Sequence, residues 1–158
     1  MDGSSVNTIA VIGAGAMGRG IAYAAALGGY RTILEDISTS MLEAAMRNIE
    51  ATFADGVTRG KIDSAARDKA LSAISTATSV EQACASADLI IEAAPEDIQI
   101  KMQLFASFDK ITKPRAIFAS NTTSLSITEM AAVTSRPERC IGMHFFNPVP
   151  KMKLLEMV

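Results

Sequence analysis

Short apolar runs alternate along this chain with longer stretches that turn apolar every third or fourth residue. The run 6–12 (VNTIAVI) is β-branched and seven residues long, the pattern of a strand buried on both faces. An alanine-rich stretch, 21–27, follows with strong helix formers, and Gly28-Gly29 predicts its end. Residues 31–34 read as a second strand ending at Glu35-Asp36. A helix is predicted over 38–54, capped by Ser38 or Ser40 and broken at Asp55-Gly56 and Arg59-Gly60. Another is predicted over 64–73. Ser79-Val80-Glu81-Gln82 and Ser126-Ile127-Thr128-Glu129 have the form of capping boxes. Strands are predicted at 87–92 and 115–119, around a helix at 97–111 with Ile98, Met102 and Phe105 at helical spacing. The last strands, 139–146 and 153–158, join through Asn147-Pro148-Val149-Pro150. Strands alternating with helices imply an α/β fold: a doubly wound, mostly parallel sheet with helices on both faces and a final antiparallel strand.

Composition narrows the class. The chain has 158 residues, the size of one domain or a fragment of a larger one. With 49% hydrophobic and 20% charged residues it is not a disordered chain. A net charge of −2 gives no electrostatic footprint for nucleic acid. No apolar run approaches the roughly 18 residues of a membrane span. The opening MDGSSVNT lacks the basic segment of a secretory leader and the arginines of a transit peptide. Cys84 and Cys140 lie far apart, as expected of reduced thiols in a cytoplasmic protein. One histidine and two cysteines make no ordinary structural zinc site, and no metal is expected.

The first chemical signal is Gly13-Ala14-Gly15-Ala16-Met17-Gly18, placed directly after a strand and opening a helix. Gly13 permits a tight turn, Gly15 lets backbone N–H groups approach a pyrophosphate, and Gly18 lets helix and strand pack closely. Such a helix start faces an anion with unpaired N–H groups and a positive dipole. Asp36 follows at the end of the second strand, where a carboxylate accepts from both ribose hydroxyls and repels a 2′-phosphate. No arginine follows within 37–40, so NAD is favoured over NADP. This is the pattern of a Rossmann-like fold. A phosphate loop of the ATPase kind is excluded, because Arg19-Gly20 stands where lysine and a hydroxyl residue are needed.

The second signal is His144, the only histidine. His144 and Glu156 are equidistant from Pro150. If the last two strands pair about that turn, the two residues become cross-strand neighbours. A carboxylate on one imidazole nitrogen fixes the tautomer and makes the other a better base. Such a pair suits proton removal from an alcohol that loses hydride to a nicotinamide. Register decides whether the pair forms, and a packed histidine is the alternative. Cys140 is about 13 Å from His144 along an extended strand, too far to be activated by it. No nucleophile elbow of the form G-x-S-x-G occurs.

The run Gly142-Met143-His144-Phe145-Phe146-Asn147-Pro148-Val149-Pro150-Lys151-Met152-Lys153-Leu154-Leu155-Glu156 resembles the signature of the L-3-hydroxyacyl-CoA dehydrogenase family, among them the shorter bacterial 3-hydroxybutyryl-CoA dehydrogenases. The segments Ile12-Gly13-Ala14-Gly15-Ala16-Met17-Gly18, Leu89-Ile90-Ile91-Glu92-Ala93 and Phe118-Ala119-Ser120-Asn121-Thr122 agree in order and spacing. The resemblance implies reversible, NAD-dependent oxidation of an L-3-hydroxyacyl-CoA to a 3-ketoacyl-CoA, as in fatty-acid β-oxidation. It implies His144 as base and Glu156 as its carboxylate partner. It places Gly13, Gly15, Met17, Gly18, Asp36, Glu96, Lys101, Asn121 and Asn147 on the cofactor. Solvated helix charges are the alternative for Glu96 and Lys101, and a turn residue for Asn147. Relatives carry serine at the position of Thr123, on the substrate's 3-oxygen; threonine keeps the hydroxyl but adds a methyl. Ser124 next door is a partial substitute, though strand alternation points it elsewhere. Lys61 falls in the family's insertion beside the CoA tail, where a free surface lysine is the alternative.

The family continues past Val158 into a helical domain that completes the acyl pocket and forms a homodimer. The expectation is therefore a truncated NAD-binding domain spanning 1–158. A start at Met1 argues against the multifunctional relatives, which carry a hydratase domain in front. Two other readings stay open: a fragment that binds NAD without activity, and a related dehydrogenase acting on a non-CoA hydroxy acid.

Overall fold

The computed structural model describes residues 5–158. The first four residues, with which the leader reading begins, lie outside it. The elements are β1 (Thr8–Ile12), α1 (Ala16–Leu27), β2 (Arg31–Glu35), α2 (Thr39–Thr58), α3 (Ser64–Ser72), β3 (Ile74–Ala77), α4 (Val80–Cys84), β4 (Leu89–Glu92), α5 (Ile98–Ile111), β5 (Ile117–Ser120), α6 (Ile127–Ala132), β6 (Cys140–Phe145) and β7 (Leu155–Met157). They form one sheet in the order β3-β2-β1-β4-β5-β6-β7. The first six strands run parallel and β7 pairs antiparallel with β6. The strand order turns back between β1 and β4, and in such sheets ligands bind where the order reverses, outside the strands' carboxyl ends.

Alternation along β1 builds two cores. Ile9 and Val11 face Ile21, Leu34, Ile49 and Phe53 from the α1–α2 side. Ala10 and Ile12 face Phe105, Phe108, Phe118 and Met130 from the α4–α6 side. Successive strand residues point to opposite faces, so a strand covered on both is apolar throughout. The three phenylalanines stand with ring centroids 5.6, 5.7 and 6.0 Å apart, within the range of favourable aromatic pairs. Each fully buried phenylalanine contributes on the order of 2 kcal/mol.

Polar groups fix the element ends. Ser38, Ser79 and Ser126 accept from the N–H groups of Met41, Gln82 and Glu129, and Asp97 accepts from Gln99 and Ile100. Each such cap is worth about 1 kcal/mol. Asp88 accepts from the N–H groups of Asn7 and Thr8 and from Lys113 Nζ. The lysine, with those N–H groups, holds its carboxyl down at about 2.

The structure departs from the sequence reading at β3 and at α2. Strand β3 has no apolar signature, because it is an edge strand whose middle residues are exposed. Helix α2 passes through Asp55-Gly56 to Thr58, since Gly56 is buried under Ile62. The chain breaks only at the second predicted point, Gly60, with φ +68°. Both cysteines are free thiols: Cys84 is buried and Cys140 half-buried, its thiol beside the Thr134 hydroxyl and the Arg136 carbonyl. Among the described residues no helix is long and apolar enough to cross a membrane.

Candidate functional site

The carboxyl ends of β1, β2 and β4 enclose a cleft of about 840 Å³, lined among others by Gly13, Gly15, Met17, Asp36, Ile37 and Leu104. Its floor is a turn that only glycines allow. Gly13 has φ +103°, and a Cβ there would lie 2.7 Å from the Ala93 carbonyl oxygen. A Cβ on Gly18 would lie 1.7 Å from the Gly13 oxygen, inside any contact distance. The N–H of Gly13 donates to the Glu35 carbonyl, which ties the turn to β2. At Gly15 the situation reverses: a Cβ would meet nothing within 4 Å. Gly15 is also the N-cap of α1 and carries no side-chain cap. The first N–H groups of α1 and its positive dipole end thus face open space, the arrangement that receives an anion.

Asp36 stands beside this turn. One carboxylate oxygen accepts from the Ala14 N–H at 3.0 Å and the other from the Ser38 N–H at 2.9 Å. A carboxylate has about four acceptor positions, so two stay open for hydroxyl donors.

Lys101, which the resemblance puts on the cofactor, is buried in the structure. It is neither a solvated helix charge nor at the surface of the cleft; it is 1% exposed. Its Nζ lies 2.6 Å from both oxygens of Glu92, 3.1 Å from the Ala94 carbonyl and 3.5 Å from Glu96 Oε2. Glu92 is fully buried and accepts further from the Ser120 hydroxyl and the Ala94 N–H. Burial pushes the Glu92 carboxyl up, against the pull of Lys101 and those donors. A buried pair of this kind holds only when its remaining hydrogen-bond positions are filled, as they are here. Lys101 therefore braces the wall 92–96 from inside, with its donors taken up by protein. Glu96, half-exposed, accepts from the Thr122 hydroxyl and, at 3.4 Å, from the Ser124 hydroxyl.

A second pocket of about 300 Å³ is lined by Met17, Glu96, Asn121, Thr123, His144 and Asn147, together with the two phenylalanines after His144. Met17 lines both cavities. Asn121 accepts from the Phe145 N–H through its side-chain oxygen, which joins the loop after β5 to β6. Thr123 is exposed and faces this pocket, while Ser124 turns to Glu96. In the β6–β7 register His144 stands opposite Glu156. His144 Nδ1 lies 3.4 Å from Glu156 Oε2, and the imidazole packs on Phe146 with ring centroids 4.5 Å apart. The histidine side chain is 22% exposed and that of Glu156 60%. Lys61 is exposed between α2 and α3, away from both pockets.

The sequence model described as 3-hydroxyacyl-CoA dehydrogenase, NAD binding domain, matches residues 8–158. The chain belongs to the 3-hydroxyacyl-CoA dehydrogenase family. It is 44% identical over 153 residues to the 3-hydroxybutyryl-CoA dehydrogenase of Bradyrhizobium diazoefficiens, covering 97% of this chain and 52% of that one. It is 44% identical over 154 residues to the 3-hydroxyadipyl-CoA dehydrogenase of Escherichia coli, covering 98% and 32%. The solved 3-hydroxybutyryl-CoA dehydrogenase of E. coli superimposes with a TM-score of 0.94 at 43% identity, over 97% of this chain and 32% of that one. The chain thus spans between a third and about half the length of these relatives.

As the family's NAD-binding domain, this chain takes NAD as its cofactor. The cradle fits it: open space at Gly15, N–H groups at the start of α1, and Asp36 one turn away. The wall of the cleft also rests on residues that sequence reasoning passed over. Glu92 was visible only as part of a motif, and Ser120 likewise. Their signal is the sheet row itself. Glu35, Ile12, Glu92 and Ser120 are register partners across β2, β1, β4 and β5, so two carboxyls and a hydroxyl share one face at the carboxyl edge.

Proposed function

We propose that this chain is the cofactor-binding half of a longer enzyme that oxidises an L-3-hydroxyacyl-CoA to the 3-ketoacyl-CoA, reversibly, with His144 as the base. The observation that carries the reading is the register of β6 and β7. It puts Glu156 against Nδ1 of His144, in a pocket that shares Met17 with the cofactor cleft. A carboxylate at Nδ1 selects the tautomer with the proton on that nitrogen. Nε2 is then left as the acceptor, and the imidazolium that forms is stabilised. Bound NAD supplies the hydride acceptor. Thr123, on the same pocket, carries the hydroxyl that donates to the substrate's 3-oxygen. Asn121 holds the backbone of β6 beside the base, and Glu96 and Asn147 border the space between base and cleft. The CoA thioester as substrate class is supported by the names of the relatives, which are CoA dehydrogenases.

The test is acetoacetyl-CoA-dependent consumption of NADH by the enzyme containing this chain, with free acetoacetate as the comparison. Turnover with the thioester alone is expected. His144→Gln is expected to lower kcat by about 100- to 10,000-fold, the range of a lost general base, with NADH binding near normal. Unchanged turnover would remove His144 from the role of base. Equal turnover of free acetoacetate would favour a non-CoA hydroxy acid as substrate.

A further inference from the structure

Within the cofactor cleft a buried carboxyl has no hydrogen-bond partner among the described residues. Glu35 lines it together with Asp36, Ile37, Val80 and Leu104. It is 6% exposed, yet its carboxyl makes no hydrogen bond among the described residues, and neither oxygen is sealed from the cleft. The equivalent carboxyl on the other side of Ile12, Glu92, is met by a lysine, a hydroxyl and an N–H. A buried carboxyl left without donors is costly as an anion and stable as an acid. The positions along the cleft are otherwise assigned. The turn at Gly13–Gly18 and the start of α1 take the pyrophosphate, and Asp36 takes the ribose. What lies past the ribose is the base, and the walls there include the apolar side chains of Ile37, Val80 and Leu104 beside Thr78 and Ser79.

We propose that Glu35, in its protonated form, reads the amino edge of the adenine, its carbonyl oxygen accepting from the 6-amino group and its hydroxyl donating to the adjacent ring nitrogen. A carboxylic acid offers this donor–acceptor pair in one plane, whereas a carboxylate offers only acceptors. The proton is available near neutrality, because burial, aided by the charge of Asp36, pushes the Glu35 carboxyl up to about 7. The titratable groups around it are Asp36 on its own strand and Cys84 from α4. β1 and β3 bring none. The Cys84 thiol is pushed up to about 12 by burial and stays neutral over the physiological range. Binding of the cofactor therefore favours the protonated Glu35, and NADH affinity falls as pH rises through about 7.

The experiment is calorimetric titration of this chain with NADH and with its 1,N6-etheno analogue, in which the amino edge of the base is blocked, at pH 6 and pH 8, for the wild type, Glu35→Gln and Glu35→Leu. For the wild type, NADH affinity is expected to drop up to about ten-fold between the two pH values. At pH 6 the analogue is expected to bind about ten-fold more weakly than NADH, the size of a lost hydrogen-bond pair. Glu35→Gln carries a permanent donor–acceptor pair, so it should keep the preference for NADH and lose the pH dependence. Glu35→Leu should bind both dinucleotides alike. A wild-type affinity that is flat with pH, or a leucine variant that keeps the wild-type preference, overturns the proposal. A wild type that binds neither dinucleotide would instead overturn the assignment of the cleft to NAD.

Discussion

Glu35 and Glu92 occupy matching places on either side of Ile12, on strands that flank β1, and the protein treats them in opposite ways. Glu92 is enclosed with a cation, and the wall of the cleft is hung from the pair: Lys101 also holds the Ala94 carbonyl and approaches Glu96. Glu35 has no cation and opens into the cleft. The difference shows where this sheet is finished and where it waits for a ligand. A charge that serves the wall must be compensated within the chain. A carboxyl that serves the ligand is left to be compensated by it.

The contrast breaks most severely if the cation is removed. Lys101→Met leaves Glu92 buried without its counter-charge. Removing one member of a buried pair costs about 3–5 kcal/mol, because the other keeps its desolvation penalty. Urea unfolding of the variant is expected to show a loss of that size. Lys101→Met combined with Glu92→Leu is expected to recover most of it, since a fully apolar replacement of a buried pair is often neutral. A single variant as stable as the wild type would mean that Glu92 is held neutral, as Glu35 is, and the contrast would vanish.

The second prediction concerns the carboxyl without a cation. In the unfolded chain Glu35 ionises around 4.5; in the folded protein burial raises this to about 7. Between these values the folded state holds a proton that the unfolded state has lost. Stability therefore falls as pH rises from about 4.5 to about 7, by up to roughly 3 kcal/mol, and levels off above. Glu35→Gln should abolish that part of the slope in unfolding curves taken across the window. A variant with the wild-type slope would place the titration elsewhere.

Much of this was legible in the residues, for physical reasons. β1, β2, β4 and β5 carry runs of apolar residues because both their faces are buried, and such runs announce themselves. The glycine turn is legible because sterics leave no other residue at Gly13 and Gly18. The opposition of His144 and Glu156 was open to sequence reasoning only as a condition, since equal distances from Pro150 fix a register only once the turn is known. β3 was missed because an edge strand with exposed residues has no apolar run. The burial of Lys101 was not legible, because a lysine five residues after Glu96 reads equally as a solvated helix charge. Its partner Glu92 lies nine residues back at the end of β4, and nothing in the spacing says that α5 buries the lysine over that carboxyl. The same holds for Glu35, which reads as the end of a strand until the cleft is seen.

The smallest effect distinguishes the donors around Glu92 from one another. The Ser120 hydroxyl donates to Glu92 Oε1 at 3.0 Å and accepts from the Thr122 N–H at 3.2 Å. It thus links the buried pair to the loop that carries Thr123. Ser120→Ala removes one hydrogen bond to a charged group, worth about 1.5–3 kcal/mol at most, and Lys101 remains bound to both oxygens. The expected loss in urea unfolding is therefore below that of Lys101→Met, on the order of 1–2 kcal/mol. NADH affinity should change little, because the Ala94 N–H and Lys101 still hold the wall at 92–96. The loop is where the change should show: freed of one tie, the amide of Thr122 should exchange its hydrogen faster, while that of Leu125, still bonded to the Thr122 hydroxyl, should not. A loss in Ser120→Ala as large as in Lys101→Met would mean that the hydroxyl, rather than the cation, is what lets Glu92 stay buried as an anion.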